Sequence, residues 1–79
     1  MASDSKAAAE LVEFIAKAIV NEPDDIKVGV VEDGRVLELE TAGEDRGRVI
    51  GRQGRVAKAM RAVVAASAVG SDCRLEIID

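Results

Sequence analysis

The chain has 79 residues, of which 48% are apolar and 33% charged, and it carries a net charge of −4. A chain of this length can bury one modest core, so we expect a single domain over residues 1–79. The balance of apolar and charged residues is that of a folded rather than a disordered chain, and no apolar run is long enough to span a membrane. It contains no histidine, tyrosine or tryptophan and only one cysteine. Because most general acid–base residues and the usual zinc ligands are missing, we expect no enzyme activity, no metal and no cofactor.

Residues 4–20 have the spacing of an amphipathic helix. Its apolar stripe repeats at i, i+3, i+4, i+7 and i+8 and consists of Leu11, Phe14, Ile15, Ala18 and Ile19. The start of the helix can be capped by Ser3, Asp4 or Ser5. Pro23 follows its end. We expect Phe14, the single aromatic residue, to anchor the core.

The N-terminal segment and the cysteine bear on cellular location. The first residues lack the basic and then apolar pattern of a signal peptide. Cys73 has no partner for an internal disulfide and is predicted to be a small apolar residue on a strand. We therefore expect a cytoplasmic, reducing location. Separately, we expect residues 1–3 to be disordered.

Residues 26–32 and 35–41 alternate in polarity and are joined by Asp33-Gly34, which is the pattern of a β-hairpin. One face of the first strand is expected to hold Ile26, Val28 and Val30. On the second strand, the buried face is expected to hold Leu37 and Leu39, and the wetter face Val36, Glu38 and Glu40.

Two helices are predicted on either side of a glycine-rich loop. The first is short, residues 45–50, and Glu44 and Asp45 at its start are interpreted as turn and cap residues. The second begins at residue 54 or 55, runs to about residue 68 and ends before residues 70–71. Its apolar face consists of Val56, Ala59, Met60, Val63, Val64 and Ser67.

The last strand covers residues 72–78, and one of its faces holds Cys73, Leu75 and Ile77. The element order is therefore α-β-β-α-α-β. Because two helices join the second and third strands, these strands are expected to be parallel neighbours, and the hairpin adds the first strand antiparallel. We predict an α+β, two-layer domain with a three-stranded mixed sheet and three helices on one face.

Charge is distributed unevenly along this order. Residues 46–71 contain six basic residues and no acidic one, whereas the remainder has five basic and 15 acidic residues, a net charge of −10. The six basic residues are Arg46, Arg48, Arg52, Arg55, Lys58 and Arg61. A basic segment in an acidic protein predicts a local site for an anionic partner.

The glycines within this basic segment do not match three common motifs. A Walker A loop fails because Arg52 follows Gly47 at the wrong spacing, and a Rossmann fingerprint fails because Val49 stands two positions before Gly51. A membrane helix-packing motif needs an apolar segment of about 20 residues, which is missing here.

What remains is Ile50-Gly51-Arg52-Gln53-Gly54 between two helices. Two glycines permit a tight turn with little side-chain bulk, so a nucleic-acid backbone can approach closely, and the next helix begins with unsatisfied N–H donors. Arg52 and Gln53 are expected to donate to phosphate or sugar oxygens. The surroundings add positive charge from Arg46, Arg48, Arg55 and Lys58, and apolar surface for bases from Val49, Ile50 and Val56.

Residues 49–64, VIGRQGRVAKAMRAVV, resemble the signature of the K-homology (KH) RNA-binding domain. The element order resembles the type II, bacterial form, and the length and motif resemble the KhpA family of small bacterial proteins with a single KH domain. The resemblance covers nearly the whole chain. It implies that Gly51 to Gly54 clamp the backbone of about four single-stranded nucleotides. Arg52 stands where lysine is common, which keeps the charge.

The resemblance also implies a function and partners. The implied function is single-stranded RNA binding, as an RNA chaperone or post-transcriptional regulator, by a homodimer or together with a larger KH protein such as KhpB, also called Jag or EloR. The implied RNA-binding residues are Gly51, Arg52, Gln53, Gly54, Arg55, Lys58, Arg48, Val49 and Ile50. The alternative is a protein–protein adaptor or dimerisation module in which RNA binding is secondary.

Several of these residues have a second interpretation that the sequence leaves open. Arg55 and Lys58 fit either a phosphate contact or a solvated helix face. Val49 and Ile50 fit either the base groove or the core. Whether a residue contacts RNA or only adds to the positive field is open for Arg46 and Arg61.

Overall fold

The computed structural model describes residues 4–78, so the predictions for residues 1–3 lie outside the described residues. The elements are helix α1 (Ser5–Ile19), strands β1 (Lys27–Val31) and β2 (Val36–Glu40), helices α2 (Arg46–Ile50) and α3 (Arg55–Ala66), and strand β3 (Arg74–Ile78). Short 3-10 helices lie at Pro23–Asp25, Gly43–Asp45 and Arg52–Gly54. The α-helices and strands follow the predicted order α-β-β-α-α-β.

The three strands form one mixed sheet in the order β1-β2-β3. β1 and β2 are antiparallel, with Gly29 opposite Glu38, and β2 and β3 are parallel, with Glu38 opposite Glu76. Positive φ angles occur at three consecutive residues of the hairpin turn, Glu32, Asp33 and Gly34. The predicted α+β fold with a three-stranded mixed sheet is confirmed.

The core lies between the helices and one face of the sheet. α1 packs on β1 and β2, and α3 packs on β3. The buried residues of this core are Ala8, Val12, Ala16, Ile26, Leu37, Leu39, Met60, Val64 and Leu75. Val36 was predicted to lie on the wetter face of β2. This was wrong for its exposure, because the residue is only 4% exposed. Val36 is covered because it lies between Val31 and Arg74 in the strand register.

Helix α1 forms as predicted, but it turns a different face to the sheet. Asp4 caps it, because its Oδ1 accepts the N–H of Ala7 at 3.1 Å. The prediction that Phe14 anchors the core was wrong, since its side chain is 74% exposed. The buried residues are Ala8, Val12 and Ala16. Their small side chains repeat every four residues, which lets the helix lie close to the sheet and leaves the larger residues on its flank.

Helix α3 shows a similar offset. Met60 and Val64 are buried as predicted, but Ala59 and Val63 are exposed, and Ala57 is buried in addition. The helix ends at Ala66, earlier than predicted. Ser67 ends the helix: its N–H donates to Val63 O at 3.0 Å, and its hydroxyl donates to Val64 O at 2.8 Å and accepts from Gly70 N–H at 2.9 Å.

Candidate nucleic-acid interface

The glycine loop leaves helix α2 in a conformation that requires glycine. The Gly51 N–H donates to Gly47 O at 2.8 Å, and the Gly54 N–H donates to Gly51 O at 3.1 Å. Gly51 has φ 79° and ψ 169°, a region that is essentially restricted to glycine. A Cβ on Gly51 would lie 2.5 Å from Val56 Cγ2 and 2.8 Å from Val56 N. The loop therefore packs its bare backbone on the first turn of α3.

The second half of the loop is left-handed. Gln53 has φ 57° and ψ 25°, and Gly54 has φ 74° and ψ 15°. Together they turn the chain into α3, and the non-glycine residue Gln53 costs about 1 kcal/mol in this region. A Cβ on Gly54 would meet no atom within 4 Å. In contrast to Gly51, Gly54 therefore has open space in front of its backbone.

The polar side chains of the loop point outward. Arg52 and Gln53 are exposed, and Arg55 Nη2 donates to Gln53 Oε1 at 3.3 Å, which brings two predicted site residues together. Within residues 4–78, neither Arg52 nor Lys58 pairs with an acidic side chain. These cations therefore keep their full capacity for phosphate oxygens.

Asp45 holds the start of α2 in place, a role that the sequence did not reveal. It is fully buried, and its carboxylate accepts the N–H groups of Asn21 at 3.1 Å and Glu22 at 2.9 Å. Arg48 Nε lies 4.0 Å from Asp45 Oδ1. Asp45 occupies the N-cap position of α2, as predicted, but its side chain makes no capping bond to that helix. It fastens the segment after α1 to the helix that leads into the loop.

The apolar residues next to the loop differ in exposure. Val49 is fully buried, so its side chain belongs to the core and offers no surface to a ligand in this structure. Ile50 and Val56 are half-buried on either side of the glycines. Of the three residues predicted to offer apolar surface to bases, only Ile50 and Val56 are therefore accessible.

Helix α3 carries basic residues and also borders an apolar groove. Lys58 is exposed, and Arg61, three residues further on, donates from Nε to Leu75 O at 3.1 Å. Toward α1 the helix borders an open groove of about 300 Å³, lined by Ile15, Ile19, Arg55, Val56, Ala59, Met60 and Val63. Of the basic residues on α3, Arg61 thus contacts β3, whereas Arg55 belongs to the lining of the groove that faces α1.

Other chemistry is sparse in the described part of the chain. Cys73 is half-buried, and its thiol lies 3.4 Å from Gly34 O. Burial raises the pKa of the Cys73 thiol, and the charge of Asp72 raises it further, which makes the thiol less reactive. Residues 4–78 contain no cluster of three or more His, Cys, Asp or Glu that could hold a metal ion. No helix among them has the length and apolar character to cross a membrane.

Comparisons with known proteins bear on this site. The family described as KhpA/KhpB, KH domain, matches residues 9–78. An RNA-binding protein KhpA of Clostridium perfringens is 53% identical over 62 residues, which cover 76% of this chain and 83% of the relative. A protein of the same name from Halalkalibacterium halodurans is 49% identical over 73 residues, which cover 87% of this chain and 96% of the relative. No solved structure matches the chain significantly.

The matched region contains the whole loop, the two helices around it and all three strands. A third relative, an RNA-binding protein KhpA of Clostridium acetobutylicum, is 47% identical over 70 residues, 86% of this chain and 93% of the relative. These names describe nucleic-acid-binding proteins rather than enzymes, in agreement with the prediction that the chain is not an enzyme. The chain belongs to the bacterial KhpA/KhpB family of KH-domain proteins.

Proposed function

We propose that the protein binds single-stranded RNA by clamping its backbone at the loop from Gly51 to Gly54. The names of the relatives support RNA as the ligand. The observation that carries the loop assignment is the bare backbone of Gly54, where an added Cβ would meet no atom within 4 Å, while Arg52 and Gln53 beside it are exposed. An RNA backbone can thus approach the first turn of α3, where N–H groups and cations bind phosphate oxygens.

In this proposal the side chains around the loop make different contacts with the RNA. Arg52 and Gln53 donate to phosphate or sugar oxygens, and the bond from Arg55 to Gln53 holds a second cation beside them. Lys58 and Arg48 add positive charge on α3 and α2. Ile50 offers apolar surface to an unstacked base, while Val49 supports it from the core.

Charge reversal in the loop tests the clamp. We expect Arg52→Asp with Gln53→Asp to weaken binding of a labelled single-stranded RNA at least tenfold, measured by fluorescence anisotropy, with an unchanged circular dichroism spectrum. Lys6→Asp with Ala68→Asp is the matched control, because it changes the net charge equally at exposed positions near the other end of α3. If the loop variant binds RNA like the wild type, the assignment is wrong.

The biological role is proposed on the family resemblance. We propose a cytoplasmic RNA chaperone or post-transcriptional regulator that acts as a homodimer or with a larger KH protein of the KhpB (Jag, EloR) type. The joint family description of KhpA and KhpB supports such a partner. A single loop that holds about four nucleotides binds weakly, so a second module would supply the affinity through multivalency.

The adaptor alternative is favoured by the apolar groove between α1 and α3. Val63, which lines the groove, is 46% exposed, and Phe14, elsewhere on α1, is 74% exposed. Such surfaces commonly mark protein contacts, and a second copy of the chain is the proposed occupant. Sedimentation velocity with and without RNA separates the two functions. A dimer that Val63→Glu dissociates, and that shows no shift with RNA, would favour the adaptor over RNA binding.

A further inference from the structure

We propose that the free edge of β1 binds an extended segment of a partner protein as an added antiparallel strand, and that this segment carries basic residues and one aromatic residue. In this mode of binding, backbone hydrogen bonds supply affinity and alternate side chains supply specificity. The surface is separate from the glycine loop and from the groove between α1 and α3. The inference therefore does not depend on the proposed RNA binding.

The edge of β1 is open. β1 pairs with β2 on one side and with no strand on the other within residues 4–78. Four of its five residues are exposed, among them Val30 and Val31. Edge strands are usually protected by proline, by bulges or by charged side chains, whereas β1 has only Lys27, at its first position. An unprotected edge of this kind is a template for a further strand.

The direction of the backbone groups along this edge follows from the pairing of the other two strands. The Arg74 N–H donates to Arg35 O at 2.7 Å, so along β2 the groups of Arg35 point toward β3 and those of Glu38 point toward β1. Glu38 is opposite Gly29, so Gly29 uses its own groups for β2. The two neighbours of Gly29 present their N–H and C=O groups to the free edge. These neighbours are Val28 and Val30.

Two hollows border β1, one on each face of the sheet. The hollow on the helix side lies between α1 and β1, has a volume of about 370 Å³ and includes Val28 and Val30 in its lining. The hollow on the open face has a volume of about 200 Å³ and includes Lys27 and Gly29. Successive side chains of a strand point to opposite faces. An added strand therefore places its side chains in the two hollows by turns.

Gly29 has no function within the chain that requires glycine. Its φ angle is not positive, and a Cβ at this position would meet no atom within 4 Å. Glycine weakens the interior of a strand and often marks a close approach by another backbone. The residue of an added strand that faces Gly29 belongs to a non-hydrogen-bonded pair, in which side chains lie closest. An aromatic ring at that position covers the glycine and occupies the hollow on the open face.

The charges around the edge favour a basic segment. Each hollow is lined by two carboxylates and one ammonium group: Glu10, Glu13 and Lys6 on the helix side, and Glu38, Glu40 and Lys27 on the open face. Within the described residues, only Glu13 among these carboxylates forms an ion pair. Lysine or arginine in the partner would complement the others. A second copy of β1 fits less well, since it offers one basic side chain and no aromatic one.

The test uses the full chain and a labelled peptide with blocked ends, RKVFVKR, whose binding is measured by fluorescence anisotropy. N-methylation of both valines removes the N–H groups that would bond to β1, so we expect binding to weaken at least about tenfold. N-methylation of the phenylalanine is the matched control. Its N–H points away from β1, so the affinity should be kept.

Two variants of the chain test the two parts of the site. Val30→Pro removes an N–H of the free edge, a position where strands tolerate proline, and should weaken peptide binding at least about tenfold while U8 RNA binds as before. Gly29→Val fills the hollow on the open face. The wild type should prefer the parent peptide about fivefold over its alanine analogue, RKVAVKR, and Gly29→Val should lose this preference without a lower urea midpoint.

The contrary outcomes are distinct. If the wild type does not bind RKVFVKR, or if the peptide with methylated valines binds like the parent, the edge is not a strand-binding site. If sedimentation shows that Val30→Pro dissociates a dimer of the free chain, a second copy occupies the edge and the partner segment is refuted. If peptide binding follows the expected order but U8 does not bind, this proposal stands and the proposed RNA binding fails.

Discussion

Gly51 and Gly54 lie at the two ends of the same loop but in different surroundings. Gly51 combines a glycine-restricted backbone with a close contact to Val56, whereas Gly54 is left-handed with open space before it. We expect Gly51→Ala to cost about 3 kcal/mol of unfolding free energy, through strain and overpacking, and Gly54→Ala about 1 kcal/mol. Urea unfolding followed by circular dichroism measures both. Equal losses would contradict the close packing of Gly51.

Asp45 is a second residue whose surroundings determine how much its substitution lowers the unfolding free energy. Asp45→Asn keeps the size of the side chain but replaces one accepting oxygen by an NH2 group that faces a backbone N–H of Asn21 or Glu22. We expect a loss of about 2 kcal/mol in unfolding free energy, because a buried donor remains unsatisfied. Glu44→Gln, at the exposed neighbouring position, is the control and should change stability by less than about 0.5 kcal/mol. Similar losses for both variants would refute the anchoring role.

Sequence reasoning at this scale succeeded where the signal is local. The spacing of Gly51 and Gly54 indicates the loop, and the residues between them are exposed there, as expected. The anchoring of Asp45 could not be predicted, since its partners are backbone N–H groups 23 and 24 residues away. The hydrogen bond from Arg61 to Leu75 O could not be predicted either, because it depends on how α3 packs against β3.

The helices and strands were predictable because each has its own periodicity and its own stop signals. The hairpin, the two helices around the loop and the parallel pairing of β2 with β3 follow from such patterns. The rotation of α1 and α3 about their axes was not predictable. Each apolar stripe is wider than the face that the sheet covers, and the small residues Ala8, Ala16 and Ala57 are buried in preference to larger ones.

The rotation of α1 leads to a stability prediction. Val12 is fully buried, whereas Phe14, the larger residue, is mostly exposed. We therefore expect Val12→Ala to lower the unfolding free energy by about 2 kcal/mol and Phe14→Ser to change it by less than about 0.5 kcal/mol. Thermal or urea unfolding at low protein concentration, where self-association is minimal, provides the comparison. The reverse order would mean that Phe14 does anchor the core.

At the scale of the whole molecule, the basic segment of residues 46–71 is separate from the acidic residues of the sheet. The basic residues of the loop and α3 lie in the helical part, while Glu38 and Glu76 are opposite each other in the sheet register and Glu40 is nearby on β2. An RNA chain is thus attracted to one part of the molecule and repelled from another, although the net charge is −4. The net charge of such a protein is a poor guide to its ligand.

This separation predicts a salt-dependent affinity. If the loop and its flanking cations neutralise roughly three phosphates, the logarithm of the association constant should fall with the logarithm of salt concentration with a slope of about −2. Titrations of labelled U8 at several potassium chloride concentrations give the slope. Lys58→Gln should make the slope shallower by about 0.7 if Lys58 contacts a phosphate. An affinity that does not change with salt would exclude a phosphate clamp.

The most direct test of the central claim is a backbone amide NMR titration of the labelled protein with a single-stranded RNA octamer. The clamp predicts that the largest chemical-shift changes occur at the amides of residues 51–56, in the loop and the first turn of α3. The amides of β1, at the opposite edge of the sheet, should change little. If the largest changes instead lie along the apolar groove at Ile15, Ile19 and Val63, or if no amide responds to RNA, the loop is not the RNA site.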